Sequence, residues 1–451
     1  MSSLKIRDVI ADICTVMLPI FVTQIAIVGM SFFDTVMAGH AGTADLAGVA
    51  IGANLWMPVF TGLNGILLAL MPIVAQYLGA QQREQISIAV VHGVYVAIFI
   101  GLVVVSCLWL TVDDGLTHMG LEADVIRIGS GFLKALSLGM IPIFVCSVLR
   151  GFVDTLGYTR LTMCIFAGTL PINIVLNYVL IFGKLGFPAL GGIGAGFATA
   201  TSYSIICLAY FIAIAKVDEL NKYQIWSKFG HLQFNLIKEQ LRIGVPIGVA
   251  IFLESGVFAA MAFFMVKFGT IVIAAHQAAI NFTSLLYMLP LSFSLALTIL
   301  VGIKVGAKEY RAAVLYGRVG IAMNLVIAAL FVLLLAVSKE YIASFYSEEP
   351  QIIELAAHFL FFAAFFQFLD GTATPIQGIL RGYKEVKPAF YASLVAYWGI
   401  CLPFGYVLDH YFGQGPFSYW QSLITGILVS AVFLVIKLIK LEKRVQKETL
   451  F

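Results

Sequence analysis

The chain has 451 residues, 61% of them hydrophobic and 11% charged, with a formal net charge of +3 and a mean hydropathy of +0.98. A soluble domain carries about a quarter charged residues, so a large soluble helical protein is excluded. Apolar runs of about 20 residues recur from end to end, which also excludes a transmembrane barrel and its weak ten-residue alternation.

Twelve candidate spans centre near 13–37, 46–74, 88–112, 130–149, 161–183, 190–214, 240–266, 275–303, 313–336, 351–379, 388–409 and 417–440. The first contains Pro19, Gln24 and Asp34, and the second carries Asn54, Pro58, Asn64 and Pro72. Proline in a membrane helix frees a carbonyl and permits a bend. The fourth ends at LRGFVDTLGYTR (149–160), where Arg150 and Asp154 stand four apart and pair if helical. The fifth holds Pro171, Asn173, Asn177 and Tyr178. The sixth opens on LGGIGAGFATATSYS (190–204), whose small residues let helices approach closely. A polar connection at 215–239, with Trp226 and Phe229, reads as an amphipathic helix along the inner surface. The seventh span carries Glu254, the eighth His276, Gln277, Asn281 and Tyr287, and the tenth Phe366, Gln367 and Asp370.

The second half is a copy of the first. Shifted by 227 residues, Pro19 meets Pro246, Gly42 meets Gly269 and Asn54 meets Asn281. Gly79-Ala80 meets Gly306-Ala307, Gly93 meets Gly320 and Gly151 meets Gly378. The expected fold class is therefore all-α, a polytopic membrane protein of 12 transmembrane helices in two homologous six-helix lobes, 1–214 and 240–451. An inter-lobe linker at 215–239 joins them. One set of loops collects Lys5, Arg7, Arg83, Arg150, Arg160, Lys304, Arg311, Arg381, Lys384 and the basic tail. The other set holds only Arg127, Lys134, Lys184, Lys267 and Lys339. That bias puts both termini on the cytoplasmic side, and the expected location is a prokaryotic cell (inner) membrane, crossed many times.

Ionisable side chains inside spans cost several kcal/mol unless they face a partner or a cavity. Asp34, Glu254 and Asp370 are the acids that stand out. At 1.5 Å rise per residue, Glu254 and Asp370 each lie roughly 17 Å from the inner charges Arg242 and Arg381 along a straight helix, so they share a depth. With no buried Lys or Arg close in sequence, either protonation or a bound cation such as Na+ would neutralise them. Gln24, Asn54, Asn173, Asn177, Gln277, Asn281 and Gln367 are candidate cavity residues, with Tyr178 and Phe366 as aromatic contacts. His276 has no neighbouring Cys or His and reads as structural or pore-lining rather than as a ligand. Six cysteines form no CxxC pair, and neither a Walker motif nor a GxSxG elbow is present. The reading is a secondary transporter run on an ion gradient, with no catalytic residues and no cofactor. A passive channel and a membrane scaffold are weaker alternatives, and nucleic-acid binding is discounted.

LPIFVTQ and SFFDTVMAG in the first span, PIVAQYLGA (72–80), LRGFVDTLGYTR (149–160) and PINIVLNYVLIFG (171–183) resemble the multidrug and toxic compound extrusion (MATE) family. So do the VPIG…E run at 245–254, AAHQ (274–277) and the LDG…PIQGILRG run at 369–382. The resemblance covers nearly the whole chain. It implies two six-helix lobes around a V-shaped cleft, acting as a monomer, and export of cationic amphipathic drugs or toxins in exchange for Na+ or H+. Pro19 matches the family's bending proline and Asp34 its first-lobe acid. Glu254 and Asp370 match the second-lobe cation site of the NorM-like branch, which makes them the expected Na+ ligands. Phe366 departs from the family's Tyr one turn before Asp370, which leaves Na+ and H+ both open. A flippase for lipids or lipid-linked saccharides is the alternative within the wider superfamily.

Overall fold

A computed structural model describes residues 5–230 and 232–448. The described residues form sixteen α-helices: α1 (Ile6–Ala41), α2 (Thr43–Leu67), α3 (Leu70–Gly79), α4 (Arg83–Thr117), α5 (Ala123–Ser137), α6 (Met140–Thr155), α7 (Thr159–Phe182), α8 (Gly192–Lys216) and the single turn α9 (Asp218–Asn221). They continue with α10 (Phe234–Met265), α11 (Thr270–Gly306), α12 (Tyr310–Ser344), α13 (Pro350–Gly382), α14 (Lys387–Ser393), α15 (Leu402–His410) and α16 (Phe417–Glu448). A π-helical segment, Leu394–Cys401, joins α14 to α15.

Eleven of the described segments are long and apolar enough to cross a membrane, and α5 with α6 makes a twelfth if the pair counts as one bent span. The protein is thus an all-α polytopic membrane protein. The fourth span is not the straight helix its hydropathy suggests, because α5 and α6 meet at 48°. The break at Leu138 and Gly139 has a packing cause: a Cβ on Gly139 would lie 2.6 Å from the Cα of Ala200 on α8. Only a glycine lets the two backbones come that close.

The repeat is visible in the backbone itself. α2 starts at Thr43 and α11 at Thr270; α3 ends at Gly79 and α11 at Gly306; α4 starts at Arg83 and α12 at Tyr310. Each pair keeps the 227-residue offset. Gln81 and Lys308, again 227 apart, both take a left-handed conformation (φ 59° and 61°), as do Gly157 and Lys384 (φ 89° and 60°). Left-handed backbone is uncommon for residues with a Cβ, so its recurrence at matched turns marks a shared architecture.

By packing the chain forms two units, Pro19–Gly248 and Met1–Leu18 with Val249–Phe451. They partition the chain differently from the lobes expected at 1–214 and 240–451, because α1 and α10 each contribute to both. The change falls at Pro19 in α1 and two residues after Pro246 in α10. Pro19 stays inside a continuous helix, and its own carbonyl accepts a hydrogen bond from Thr23 Oγ1 at 2.9 Å.

In the first unit, α2 packs on α5, α4 on α6, and α8 on both α5 and α7. The small-residue stretch supplies the close approaches: a Cβ on Gly194 would meet the Leu180 carbonyl group at 2.7 Å, and one on Gly196 the Phe132 oxygen at 2.6 Å. The connection after α8 is not an amphipathic helix. Gln224 and Gly230 take positive φ and interrupt it, leaving α9 and one 3-10 turn at Ile225–Lys228. This segment docks on α4. Ser87 donates to the Tyr223 carbonyl, Lys228 pairs with Glu84 at 2.7 Å, and Tyr95 Oη accepts from the Gly230 amide at 2.9 Å. Trp226 is stacked between Phe211 and Phe229.

In the second unit, α13 is the central helix and packs on α11, α12 and α16. Its closest approach is at Gly378, where an added Cβ would overlap the Ser294 carbonyl of α11. Thr298 Oγ1 donates across the same contact to the Gly378 carbonyl at 3.0 Å. The repeat-matched Gly151 has only the flexible Met71 Cγ, at 3.3 Å, in its way. The matched glycines therefore predict opposite outcomes. Gly378→Ala should cost about 1–3 kcal/mol through overpacking against backbone. Gly151→Ala should stay close to wild type, read as thermal unfolding of the detergent-solubilised proteins. Equal melting temperatures for the two variants would contradict this packing.

Candidate functional site

Each unit encloses a carboxylate. In the first, Asp34 on α1 is 8% exposed. Asn177 of α7 donates to its Oδ1 at 2.6 Å and Thr199 of α8 to its Oδ2 at 2.5 Å. Asn177 also donates to Asn173 Oδ1 (3.1 Å), and Asn173 donates to Ser202 Oγ (3.2 Å). Three helices thus meet on one acid through neutral donors. Such donors stabilise a carboxylate without cancelling its charge.

A second cluster lies in the same unit. Arg150 and Asp154 form the ion pair expected from their spacing, Nε to Oδ2 at 3.2 Å, with Asp154 almost wholly buried. Arg150 Nη2 donates to Gln24 Oε1 on α1 at 3.0 Å, and its guanidinium lies 5.4 Å from the centre of the Phe166 ring. Arg150 is thus not a free loop charge.

In the second unit, Glu254 of α10 accepts at Oε1 from Gln377 Nε2 of α13 (2.9 Å) and from Ser393 Oγ of α14 (2.8 Å). Asp370 on α13 is 6% exposed. Its Oδ1 accepts from Thr374 Oγ1 at 2.8 Å, while its Oδ2 is buried with no hydrogen-bond partner. Both polar atoms of Gln367, one turn away, are likewise buried without partners. Glu254 and Asp370 lie within electrostatic reach of each other, and Tyr287 and Tyr397 within reach of both. Tyr397 belongs to the π-helical segment, and its neighbour Trp398 donates to the Leu253 carbonyl at 3.0 Å, beside Glu254. π-Helical turns commonly occur at functional sites, where they re-aim side chains.

The sequence candidates divide by place and burial. Asp34, Asn173 and Asn177 come together, and so do Glu254 and Asp370. Asn173 and Asn177 are fully buried in the Asp34 network, and Asn177 Oδ1 has no hydrogen-bond partner there. Phe366 and Gln367 are also buried; Phe366 packs edge-on against Phe258. Asn54, Tyr178, Gln277 and Asn281 are exposed, and Gln277 donates to Asn281 at 3.0 Å. Of its two expected roles His276 fits the structural one: it is buried, and its Nδ1 accepts from Trp420 Nε1 at 3.2 Å. Among the described residues, no group of three or more His, Cys, Asp or Glu side chains is arranged to hold a metal ion. An ion at Glu254 and Asp370 would need hydroxyl or amide oxygens to complete its shell.

One expectation is overturned. Arg381, assigned to an inner loop, is 5% exposed in the last turn of α13 and donates to Gln377 Oε1 at 3.2 Å. A buried arginine therefore does sit near Glu254. Thr199, Ser393, Gln377 and Tyr397 were also not foreseen. A signal existed for part of this set: Asp370, Thr374, Gln377 and Arg381 are spaced by four, three and four residues, a polar stripe on one helix face.

Long apolar helices enclosing hydrogen-bonded carboxylates define a polytopic membrane protein with charged groups inside its helix bundles, a feature of secondary transporters. The family model MatE matches residues 19–179 and again 246–407, so both matches begin at the repeat-matched prolines. The probable multidrug resistance protein NorM of Bacillus subtilis (strain 168) is 46% identical over 438 residues, 97% of each chain. The Bacillus anthracis protein of the same name is 48% identical over 426 residues, 94% of each. The eukaryotic MATE transporter AtDTX14 shares the fold with a TM-score of 0.88 at 18% identity, covering 98% of this chain and 99% of that one. A MATE structure in a bent conformation gives a TM-score of 0.89 at 18% identity, covering all of both chains. The chain belongs to the MATE family, in its NorM-like branch. Members are secondary active transporters that move small molecules across a membrane, not enzymes.

The Arg150–Asp154 pair makes a stability prediction. Arg150→Met would leave Asp154 buried and uncompensated, which should cost about 3–5 kcal/mol. Arg150→Met with Asp154→Leu removes both charges and should recover most of the loss. Thermal unfolding in detergent separates the two, and a single variant as stable as the double one would contradict the assignment.

Proposed function

We propose that the chain is an antiporter that exports cationic, amphipathic small molecules across the cell membrane in exchange for Na+ or H+. Asp34, Glu254 and Asp370 are its cation-coupling carboxylates. The observation that carries this reading is Asp370 Oδ2, an acceptor buried without a hydrogen-bond partner and within reach of a second carboxylate. Such a group is costly unless it is protonated or binds a cation, and it can cycle between the two conditions. The name of the Bacillus subtilis relative, a probable multidrug resistance protein, supports the substrate class. The acidic interior favours a cationic substrate by charge complementarity.

In this mechanism twelve spans in two lobes alternate access, with both termini in the cytoplasm. An ion from outside enters at Glu254 and Asp370 and weakens drug binding, so the compound leaves outward. The lobes rock inward, the ion leaves, and drug rebinds from the cytoplasm or inner leaflet. Pro19 acts as a hinge in α1, where the packing of the helix passes from one unit to the other. The exposed residues Asn54, Tyr178, Gln277 and Asn281 are available to substrate. Gln24 acts instead through Arg150, and Asn173 and Asn177 through Asp34. Phe366 and Gln367 shape the surroundings of Asp370 from the same helix.

The test is efflux of a fluorescent cationic dye from proteoliposomes, with Na+ and proton gradients imposed separately. One gradient should drive wild-type efflux, and Asp370→Asn should reduce driven efflux to the level of protein-free vesicles while keeping a monodisperse protein. Wild-type rates from Asp370→Asn would sink the assignment of Asp370. A wild-type protein indifferent to both gradients would sink antiport itself.

A further inference from the structure

The second unit holds a positive charge with no carboxylate of its own. Arg381 is almost fully buried, and among the described residues no acid lies within ion-pair distance of it. Its guanidinium donates to Gln377 Oε1 at 3.2 Å, and Gln377 Nε2 donates to Glu254 Oε1 at 2.9 Å. The carboxamide is thus oriented by both charges, oxygen toward the cation and nitrogen toward the anion. The titratable groups facing Arg381 are Glu254 and Tyr287; Tyr397 and Asp370 face Glu254 in turn.

The repeat shows how unusual this arrangement is. The 227-residue shift places Arg150 on Gln377 and Asp154 on Arg381. Each unit therefore carries a line running from α1 or α10 to one position on α6 or α13, and then to the position four residues on. In the first unit the line is Gln24–Arg150–Asp154. In the second it is Glu254–Gln377–Arg381. Both contain one acid, one glutamine and one arginine, in permuted order. In the first line the arginine is neutralised by direct contact with Asp154. In the second it faces the acid across a neutral bridge, so its charge stays available to the carboxylate pair.

We propose that Arg381, acting through Gln377, is a positioning residue that sets how tightly Glu254 and Asp370 hold the coupling cation. A fixed positive charge near the site competes with the incoming ion and keeps the affinity low enough for release into the cytoplasm. The inference rests on the reading of Glu254 and Asp370 as the cation-coupling carboxylates. Its chemistry is the same for Na+ and for H+, and the two arms of the test separate them.

The experiment uses the full chain in proteoliposomes loaded with a fluorescent cationic dye. External Na+ and, separately, external protons are titrated to find the concentration giving half-maximal efflux. Arg381→Gln should lower that concentration for the driving ion by about tenfold, the effect of one nearby charge at intermediate dielectric. It should also slow efflux at saturating ion, because release is slower. Arg381→Lys keeps the charge and should keep the wild-type half-maximal concentration, which a merely structural role would not predict. Gln377→Glu gives Arg381 a carboxylate of its own, as Asp154 does for Arg150, and should shift the concentration in the same direction as Arg381→Gln. This variant also carries the test if Arg381→Gln does not fold. An unchanged or raised half-maximal concentration in Arg381→Gln, or in Gln377→Glu when Arg381→Gln is not recovered, overturns the proposal. Asp370→Asn separates the two levels. If it retains driven efflux, the coupling reading fails; if it loses efflux while the Arg381 variants behave as wild type, only the role of Arg381 fails.

Discussion

A carboxylate taken out of water into a bundle of apolar helices must meet donors, a countercharge or an exchanging cation, and the polar architecture of this protein follows from that requirement. Four acids within the helix bundles meet it in different ways. Asp34 is satisfied by amide and hydroxyl donors from two other helices. Asp154 has a countercharge, Arg150, against its Oδ2, while its Oδ1 is buried without a hydrogen-bond partner. Glu254 has two neutral donors and a distant arginine. Asp370 has one donor and one oxygen left over. Only Asp154 meets a countercharge directly; the other three are held by neutral donors that leave the charge uncancelled. An acid paired with a countercharge gains little from binding an ion, so the capacity to exchange one belongs to the acids without such a pair.

Holding a side chain in that condition needs a rigid frame. The frame here is built by glycines at which backbones touch: Gly378 against Ser294, Gly139 against Ala200, Gly196 against Phe132. Close packing at such points limits how far the helices that carry the polar side chains can shift. α13 carries Asp370, Thr374, Gln377 and Arg381 on one face and Gly378 on its contact with α11. The polar stripe is therefore fixed by the same helix that is most tightly packed.

Much of the scaffold was legible in the residues. The constant 227-residue offset foretold matched helix ends at Thr43 and Thr270 and at Gly79 and Gly306, because caps and turns depend on local chemistry that a repeat preserves. The Arg150–Asp154 pair was legible for the same reason, since four-residue spacing on a helix is local. What was not legible depended on depth and on tertiary approach. The LRG motif at 380–382 looks like the exit of a helix, and α13 does end there, yet packing buries Arg381 below that end. The bend between α5 and α6 answers to Ala200, some sixty residues away, and no window around Gly139 contains it. The linker's aromatic spacing suggested a surface helix. Instead, Trp226 stacks between Phe211 and Phe229, and that stack outweighs the helical propensity of a short polar segment.

The two repeats have kept their backbone and permuted their charges. If the cost of burying an ion depended only on the scaffold, matched positions would carry matched residues. They do not: the positions of Arg150 and Asp154 are taken by Gln377 and Arg381, and Glu254 corresponds to Ile27. The same line of three polar side chains can be closed by an ion pair at one end or left open with its charges separated by an amide. The closed form stabilises a unit and is indifferent to an added cation. The open form is less stable by itself but responds to one, because a cation near the acid changes the balance that the arginine alone cannot complete. Divergence between the duplicated halves therefore separates a closed charge pattern in one from an open pattern in the other.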